Sequence, residues 1–339
     1  PDPFANPASS KSDPETIPVP ADDEPKPTGT RLPADLLDGE KLTPLNKSGT
    51  VLLDLSGKRI LLKSNVCFRE GLLEMFLCRP QTKEHESILV LDAEAYTVHT
   101  GLLALGSQEG APATYDPETE KYTPARGQVI DVFVHWVDEN GRLNRQPAQS
   151  WVRRSRYRYY EEKFETLPAD LTLNLDSNLR YDAMNKVIFW YGPMTDEQRA
   201  ECLKMSSNEK FKTAIQRFYD ESQARPMDAD FLFVGSGFHE DPESGRHYLA
   251  EGGYVICVAN FSMAMIDVGQ ESSASGTESL TYEAWTERIP PNGSDVLVEL
   301  VPRFTPQPPG AKPDDTPTAT TSDADKKPSR SPKAPPVPE

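Results

Sequence analysis

Glu84, His85 and Glu86, with His99 fourteen positions after His85, bring two imidazoles and two carboxylates into one short stretch. These are the ligand types that a divalent cation such as zinc takes at about 2.0 to 2.2 Å. His85 and His99 are therefore the candidate metal ligands. Glu84 and Glu86 are candidate binding carboxylates, either of which would complete a three-ligand set with one position left open to water. Alternation at the entry to a strand puts Glu84 and Glu86 on one side and His85 on the other, so only part of the set can share a face. His99 falls about two turns into the helix that follows, and it meets His85 only if that helix folds back over its own strand. Without a metal, the same residues read as a hydrogen-bonded corner, because a buried polar group without a partner costs about 1 to 3 kcal/mol. Proton-transfer catalysis is the third reading.

Other chemistries find less support. Cys67, Cys78, Cys202 and Cys257 form no CxxC, no CxxCH and no zinc-ribbon spacing, so neither an iron–sulfur cluster nor a haem is expected. A two-residue turn at Glu70-Gly71 would set Cys67 opposite Glu74 and Cys78 opposite Lys63, too far apart to bridge without a bulge or a different turn. Gly235-Ser236-Gly237 has its glycines next to the serine and is not a nucleophile elbow. No phosphate loop and no GxGxxG followed by a helix occurs. His239 and His247 flank a hairpin turn at 241–245, and His135 faces away from Trp136 on one strand.

The elements that position these groups follow from periodicity. Val51 to Leu55, Lys58 to Lys63, Val66 to Arg69 and Leu72 to Cys78 are apolar runs separated by Ser56-Gly57 and Glu70-Gly71, the pattern of a strand meander. Ile88 to Leu91 is a short, wholly apolar strand. Asp92 then stands where a helix cap belongs. Ala95, Val98, His99, Leu102 and Leu103 recur at helical spacing until Gly106 ends the helix. Val129 to Val137 turns at Asn140-Gly141 and returns toward Trp151, on the strongest short hairpin signal. Thr195 with Gln198 makes a capping box that opens a helical stretch through Phe211, Ile215 and Phe218. After Pro226 the strand pattern resumes at 230–234, 248–249, 254–259 and 296–301.

Composition sets the boundaries. Residues 1–30 hold eight prolines and residues 305–339 hold ten of the 32, with few aromatic residues to bury. Such tails cannot offset the backbone entropy of ordering, about 1 to 2 kcal/mol per residue. The reading is therefore a disordered leader over 1–45, a first half over 46–155, a helical insertion over 156–230, a second half over 231–304 and a disordered proline-rich tail over 305–339. Most of the net charge of −17 belongs to the body between the tails. An acidic body repels phosphate backbones, so nucleic acid is not an expected partner. No apolar run reaches the ~20 residues of a membrane span.

The runs Val66-Cys67-Phe68-Arg69-Glu70-Gly71-Leu72-Leu73-Glu74 and Thr82-Lys83-Glu84-His85-Glu86-Ser87-Ile88, and His99 with Leu102 to Gly106, resemble the YdjY family of exported bacterial proteins. Phe233 to Phe238, Glu251-Gly252-Gly253 and Glu287-Arg288-Ile289-Pro290-Pro291 are similar to its second half. The resemblance spans roughly 48–155 and 228–303. It implies export, with a periplasmic or envelope-associated location and a signal sequence already removed, and a partner that is a protein or cell-envelope component. The fold expected is α+β, a mostly antiparallel sheet with one packed helix and the helical insertion. The function expected is that of a non-catalytic binding or assembly module. The competing class is a metal-dependent enzyme built on His85 and His99.

Overall fold

A computed structural model describes residues 29–173, 178–243, 245–272 and 281–304. Eight strands form its centre: β1 (Arg59–Val66), β2 (Met75–Cys78), β3 (Ser87–Val90), β4 (Gln128–Val137), β5 (Phe231–Phe233), β6 (Ile256–Cys257), β7 (Ile266–Val268) and β8 (Asp295–Pro302). They hydrogen-bond in the order β1-β8-β4-β5-β7-β6-β2-β3, and β3 pairs again with β1 through Asn65↔Val90 and Val66↔Leu89. That last pairing closes the sheet into a barrel. The expected α+β fold with an open, mostly antiparallel sheet is therefore wrong. The protein is mostly β, and closure leaves no free edge among these strands. Six of the eight pairings are antiparallel, while β6–β7 and β2–β3 run parallel.

Alternation explains which face of each strand turns inward. Ile60, Leu62 and Val66 of β1, Val296, Val298 and Leu300 of β8, and Ile130, Val132 and Val134 of β4 share one buried apolar core. The residues between them point out: Glu299 meets His135 and Arg145 on the outer face, and Leu61 and Leu297 lie under Leu32, Leu36, Leu37 and Leu42. Residues 29–45 are thus part of the folded body, although they were expected in the disordered leader. Their leucines cover an apolar patch that β1 and β8 would otherwise leave in water.

Helix α1 (Ala95–Ala104) plugs one end of the barrel. Val98 and Leu102 enter the barrel core, and Gly101 lies so close to β1 that a Cβ there would come within 2.9 Å of the Ile60 and Leu45 side chains. Its C-terminus follows the expected glycine stop. Gly106 sits at φ +87°, with its N–H donating to Leu103 and the Ser107 N–H to Leu102. Its N-terminus does not use Asp92. The Glu251 carboxylate accepts from the Ala95 and Tyr96 N–H groups at 3.1 and 2.9 Å. A distant carboxylate serves as well as a local cap because what the helix end requires is a negative acceptor.

The segment after β1 does not turn back at Glu70-Gly71. Leu73 N–H donates to the Tyr282 carbonyl at 3.0 Å and Ala284 N–H to Gly71 at 2.9 Å, so the chain crosses to a remote segment before entering β2. Cys67 and Cys78 accordingly lie on the two segments beside β3, next to Ile88 and Val90, and their thiols are in hydrogen-bond contact with each other rather than facing Glu74 and Lys63. All four cysteines are free thiols. The insertion is not purely helical. Strands Tyr159–Lys163, Leu179–Asp182 and Val187–Tyr191 form a three-stranded antiparallel sheet, and α2 (Asp196–Lys204) and α3 (Glu209–Ser222) complete a second core around Trp190, Phe211, Ile215 and Phe218. The Thr195–Gln198 capping box forms as expected. The two proline-rich tails lie outside the described residues, and among the described residues no helix is long and apolar enough to cross a membrane.

Candidate functional site

The structure assigns the four residues singled out in the sequence to two separate polar groups. Glu84 and Glu86 sit in a short 3-10 turn with His85 between them. Glu84 accepts from the backbone N–H groups of Gln81 and Thr82, and these bonds hold its carboxyl below the usual range against the opposing effect of burial. Lys83 bridges Glu86 and Glu74, with Nζ at 2.5 and 2.8 Å from them. His85 projects into solvent with 76% of its side chain exposed.

His99 is buried on α1, with Nδ1 at 2.8 Å from the Tyr248 hydroxyl and Nε2 at 3.1 Å from Glu109. Acceptors beside both nitrogens favour the imidazolium, but burial outweighs Glu109 and lowers the pKa below the ordinary histidine value. His85 and His99 share no polar partner, so the proposed convergence of the two rings finds no support in their contacts. Among the described residues no group of three or more His, Cys, Asp and Glu side chains is arranged to hold a metal ion. His239 and His247 do pair across their hairpin, as its register implies.

A different site is built at the other end of the barrel, where β1 and β4 finish. There Trp136 and Val137, the hairpin residues Asp138, Glu139 and Asn140, and the returning Asn144 and Gln146 line a cavity of about 600 Å³. Ser150 and Trp151 form its inner wall, and Arg69 and the loop from Glu287 to Pro291 close the remaining side. That volume lies within the roughly 300 to 1,000 Å³ of small-molecule sites.

Local physics explains how each wall is held. Asn140-Gly141 makes the turn as expected, and Asp138 accepts from the Arg142 and Asn140 N–H groups at 2.9 Å each, which lowers its pKa. The Trp136 and Trp151 rings meet edge to face at 5.0 Å, a favoured aromatic geometry. Arg69 donates to the Ile289 and Thr286 carbonyls, and Arg288 lies flat on the Trp285 ring at 3.4 Å while reaching the Ser150 carbonyl. Arg69 and the Glu287–Pro291 loop are more than two hundred residues apart in the chain, and each belongs to a run on which the family resemblance rests.

The cavity's uncommitted groups stand out against this order. Thr30 Oγ1, Ser150 Oγ and Trp151 Nε1 are buried with no hydrogen-bond partner, and all three residues line this one cavity. Among the described residues that line it there is no histidine or cysteine.

A family model described as the YdjY domain matches residues 51–166. The chain carries a YdjY domain. The match includes β1 to β4, α1 and most of the cavity wall, from Arg69 to Trp151. It ends at residue 166, inside the insertion, and does not reach the stretch read as the family's second half. The YdjY domain nevertheless needs that stretch to close, since β5 to β8 supply half the barrel. No curated protein matches the chain. No solved structure matches it either.

The sequence reading missed this site because its parts carry no distinctive local spacing. The available signal was the tryptophan pair, Trp136 on the first strand of a hairpin with a strong turn and Trp151 in the 3-10 turn just after its second strand.

Proposed function

We propose that the protein is a non-catalytic binding module that receives a ligand in the barrel-end cavity, and that it works in the cell envelope. The observation that carries the binding reading is one cavity of ligand size at the barrel end, walled by Trp136, by the Asn144 and Gln146 amides and by the Glu287–Pro291 loop. The barrel supplies rigidity: α1 plugs the far end, and closure fixes both tryptophans on packed elements. Envelope placement is supported by the resemblance to an exported family.

The test is a thermal-shift screen of the full chain against sugars, short peptides, organic acids and nucleotides. A ligand present at about 100 times its Kd adds about 2.7 kcal/mol. At about 2 to 4 °C per kcal/mol for a body of this size, that raises Tm by about 5 to 11 °C. At least one class should give such a shift, and Trp136→Ala should reduce it. A screen in which no class moves Tm contradicts the binding reading.

A further inference from the structure

We propose that the ligand of the barrel-end cavity is zwitterionic, an amino acid or short peptide whose free carboxylate is held by Arg69 and Arg288 and whose ammonium group faces the turn at Asp138 and Glu139. The proposal rests on the binding reading above and names the ligand class that the charges of the walls select.

Five charged side chains line the cavity: Arg69, Asp138, Glu139, Glu287 and Arg288. Glu287 is answered within the protein by Arg153, at 3.1 Å. The other four sum to zero, two cations and two anions, yet among the described residues no ion pair joins either arginine to either acid. The chain carries a net charge of −17, so carboxylates are abundant, and Arg59, Arg145, Arg153 and Arg156 each meet one. Arg69 and Arg288 meet none. Opposite charges that line one cavity without touching are complementary to a ligand that carries both signs.

Both guanidiniums are held in place by neutral partners. Arg69 donates through Nε and Nη2 to the Ile289 and Thr286 carbonyls at 2.8 to 3.1 Å, which leaves its Nη1 group without an acceptor among the described residues. Arg288 lies on the Trp285 ring at 3.4 Å and donates through Nη1 to the Ser150 carbonyl at 3.3 Å, which leaves Nε and Nη2. Carbonyls and an indole face orient a guanidinium without cancelling its charge. The remaining N–H groups form the planar fork that a carboxylate matches with two parallel hydrogen bonds.

The acids stand on a different element, the turn that follows β4. Asp138 is fixed there by the Asn140 and Arg142 N–H groups, whose bonds lower its pKa and keep it ionised at neutral pH. Glu139 beside it is exposed and has no partner among the described residues. An ammonium group offers three donors to such a pair. A ligand with only negative charge would meet its own sign at this turn, and one with only positive charge would meet it at the arginines. Trp136, Val137, Ile289 and Pro290 supply the apolar part of the lining, on which an aliphatic or aromatic side chain can rest.

The experiment is a calorimetric titration of the full chain with leucine, phenylalanine and the dipeptides alanyl-leucine and alanyl-phenylalanine, each with both ends free, and with the N-acetylated and C-amidated form of each. At least one free form should bind saturably with a Kd no weaker than about 1 mM. Blocking either of its ends should weaken it about tenfold or more, the loss of one charge-assisted contact. In Arg288→Gln the penalty of amidation should shrink, and in Glu139→Gln the penalty of acetylation should shrink, each variant removing the partner of the end that is blocked. Both side chains are exposed, so the circular dichroism melts of the two variants should stay close to that of the wild type. Equal binding of free and blocked forms, or penalties that both variants leave in place, overturns the zwitterion assignment. A panel without saturable binding, while the thermal-shift screen returns a hit, overturns it too and leaves a binding module. No response in either experiment overturns both.

Discussion

Replacing Glu299 with glutamine should cost the fold about 3 kcal/mol and remove part of its acid sensitivity. Glu299 lies on the outer face of β8 with only 6% of its side chain exposed, and three cationic or proton-donating groups converge on it. Arg145 and His135 reach one oxygen at 2.9 Å each, and Arg59 reaches the other at 3.1 Å. Burial alone would raise the pKa of this carboxyl, but the bonds from His135, Arg145 and Arg59 outweigh it and hold the value at about 2, against 4.5 for a free glutamate. At 1.36 kcal/mol per unit the difference corresponds to about 3 kcal/mol. The sign follows from linkage. A carboxyl with a depressed folded pKa contributes stability that is complete above about 4.5 and is lost as the pH falls toward 2. Glu299→Gln keeps the volume but removes the charge and leaves two guanidiniums facing a neutral amide, a loss in the range measured for broken buried pairs. At about 2 to 4 °C per kcal/mol, Tm at pH 7 should fall by about 6 to 12 °C. Urea unfolding of both proteins from pH 7 to pH 2 provides the assay. The wild type should lose stability steeply below about pH 4.5, and the variant should do so less steeply. A variant that melts within a degree of the wild type, or that keeps the wild-type slope below pH 4.5, refutes the assignment of this cluster as a stabilising one.

Other perturbations give outcomes of different kinds. Asp267 is fully buried and its pKa is raised to about 6 by burial, against which bonds from Val268, Asn260 and Ala113 act. The fold should therefore lose stability as pH rises from about 4 to 6, and Asp267→Asn should flatten that limb in the same urea series. Glu251→Gln weakens the charge at the α1 N-terminus and should cost about 1 kcal/mol, with faster hydrogen exchange at the Ala95 and Tyr96 amides as the local readout. Gly127 abuts the Phe233 carbonyl so closely that a Cβ would lie 2.1 Å away. Gly127→Ala must push β4 from β5, and it should yield insoluble or strongly destabilised protein in an expression and melting comparison.

Local signals in the sequence were read correctly where the interactions are local. The Asn140-Gly141 turn, the Gly106 stop and the Thr195–Gln198 box depend on backbone geometry within a few residues, and all three form as their residue types require. The α1 cap was misread because its acceptor, Glu251, arrives from another segment. Barrel closure was not legible for the same reason. The alternation of β1 is identical in an open sheet and a closed one, and only the pairing of Asn65 and Val66 with β3 distinguishes them. In the insertion, Val187–Tyr191 is a run of β-branched and aromatic residues that does carry a strand signal, and the helical pattern of α3 beside it drew the whole segment toward helix.

The candidate site shows the same division. The His85 and His99 reading rested on chain proximity, and the fold sends one ring into solvent and the other against Tyr248. The cavity instead unites Arg69 with Ile289 and Trp136 with Trp151, contacts that exist only once β1 and β4 have both paired with β8 and the Glu287–Pro291 loop packs beside their ends.

Indole N–H resonances in a nitrogen–proton correlation spectrum examine the binding account at the atoms on which it depends. Trp190 Nε1 donates to the Gly192 carbonyl at 3.0 Å inside the insertion and serves as an internal reference, whereas Trp151 Nε1 has no partner. On addition of a saturating ligand of the cavity, the Trp136 indole signal should shift by ring contact and that of Trp151, packed edge to face on it, should follow, with Trp190 staying in place. Unchanged Trp136 and Trp151 signals in the presence of a ligand that binds elsewhere, for instance beside His99, would contradict the claim that the open end of the barrel is the working site.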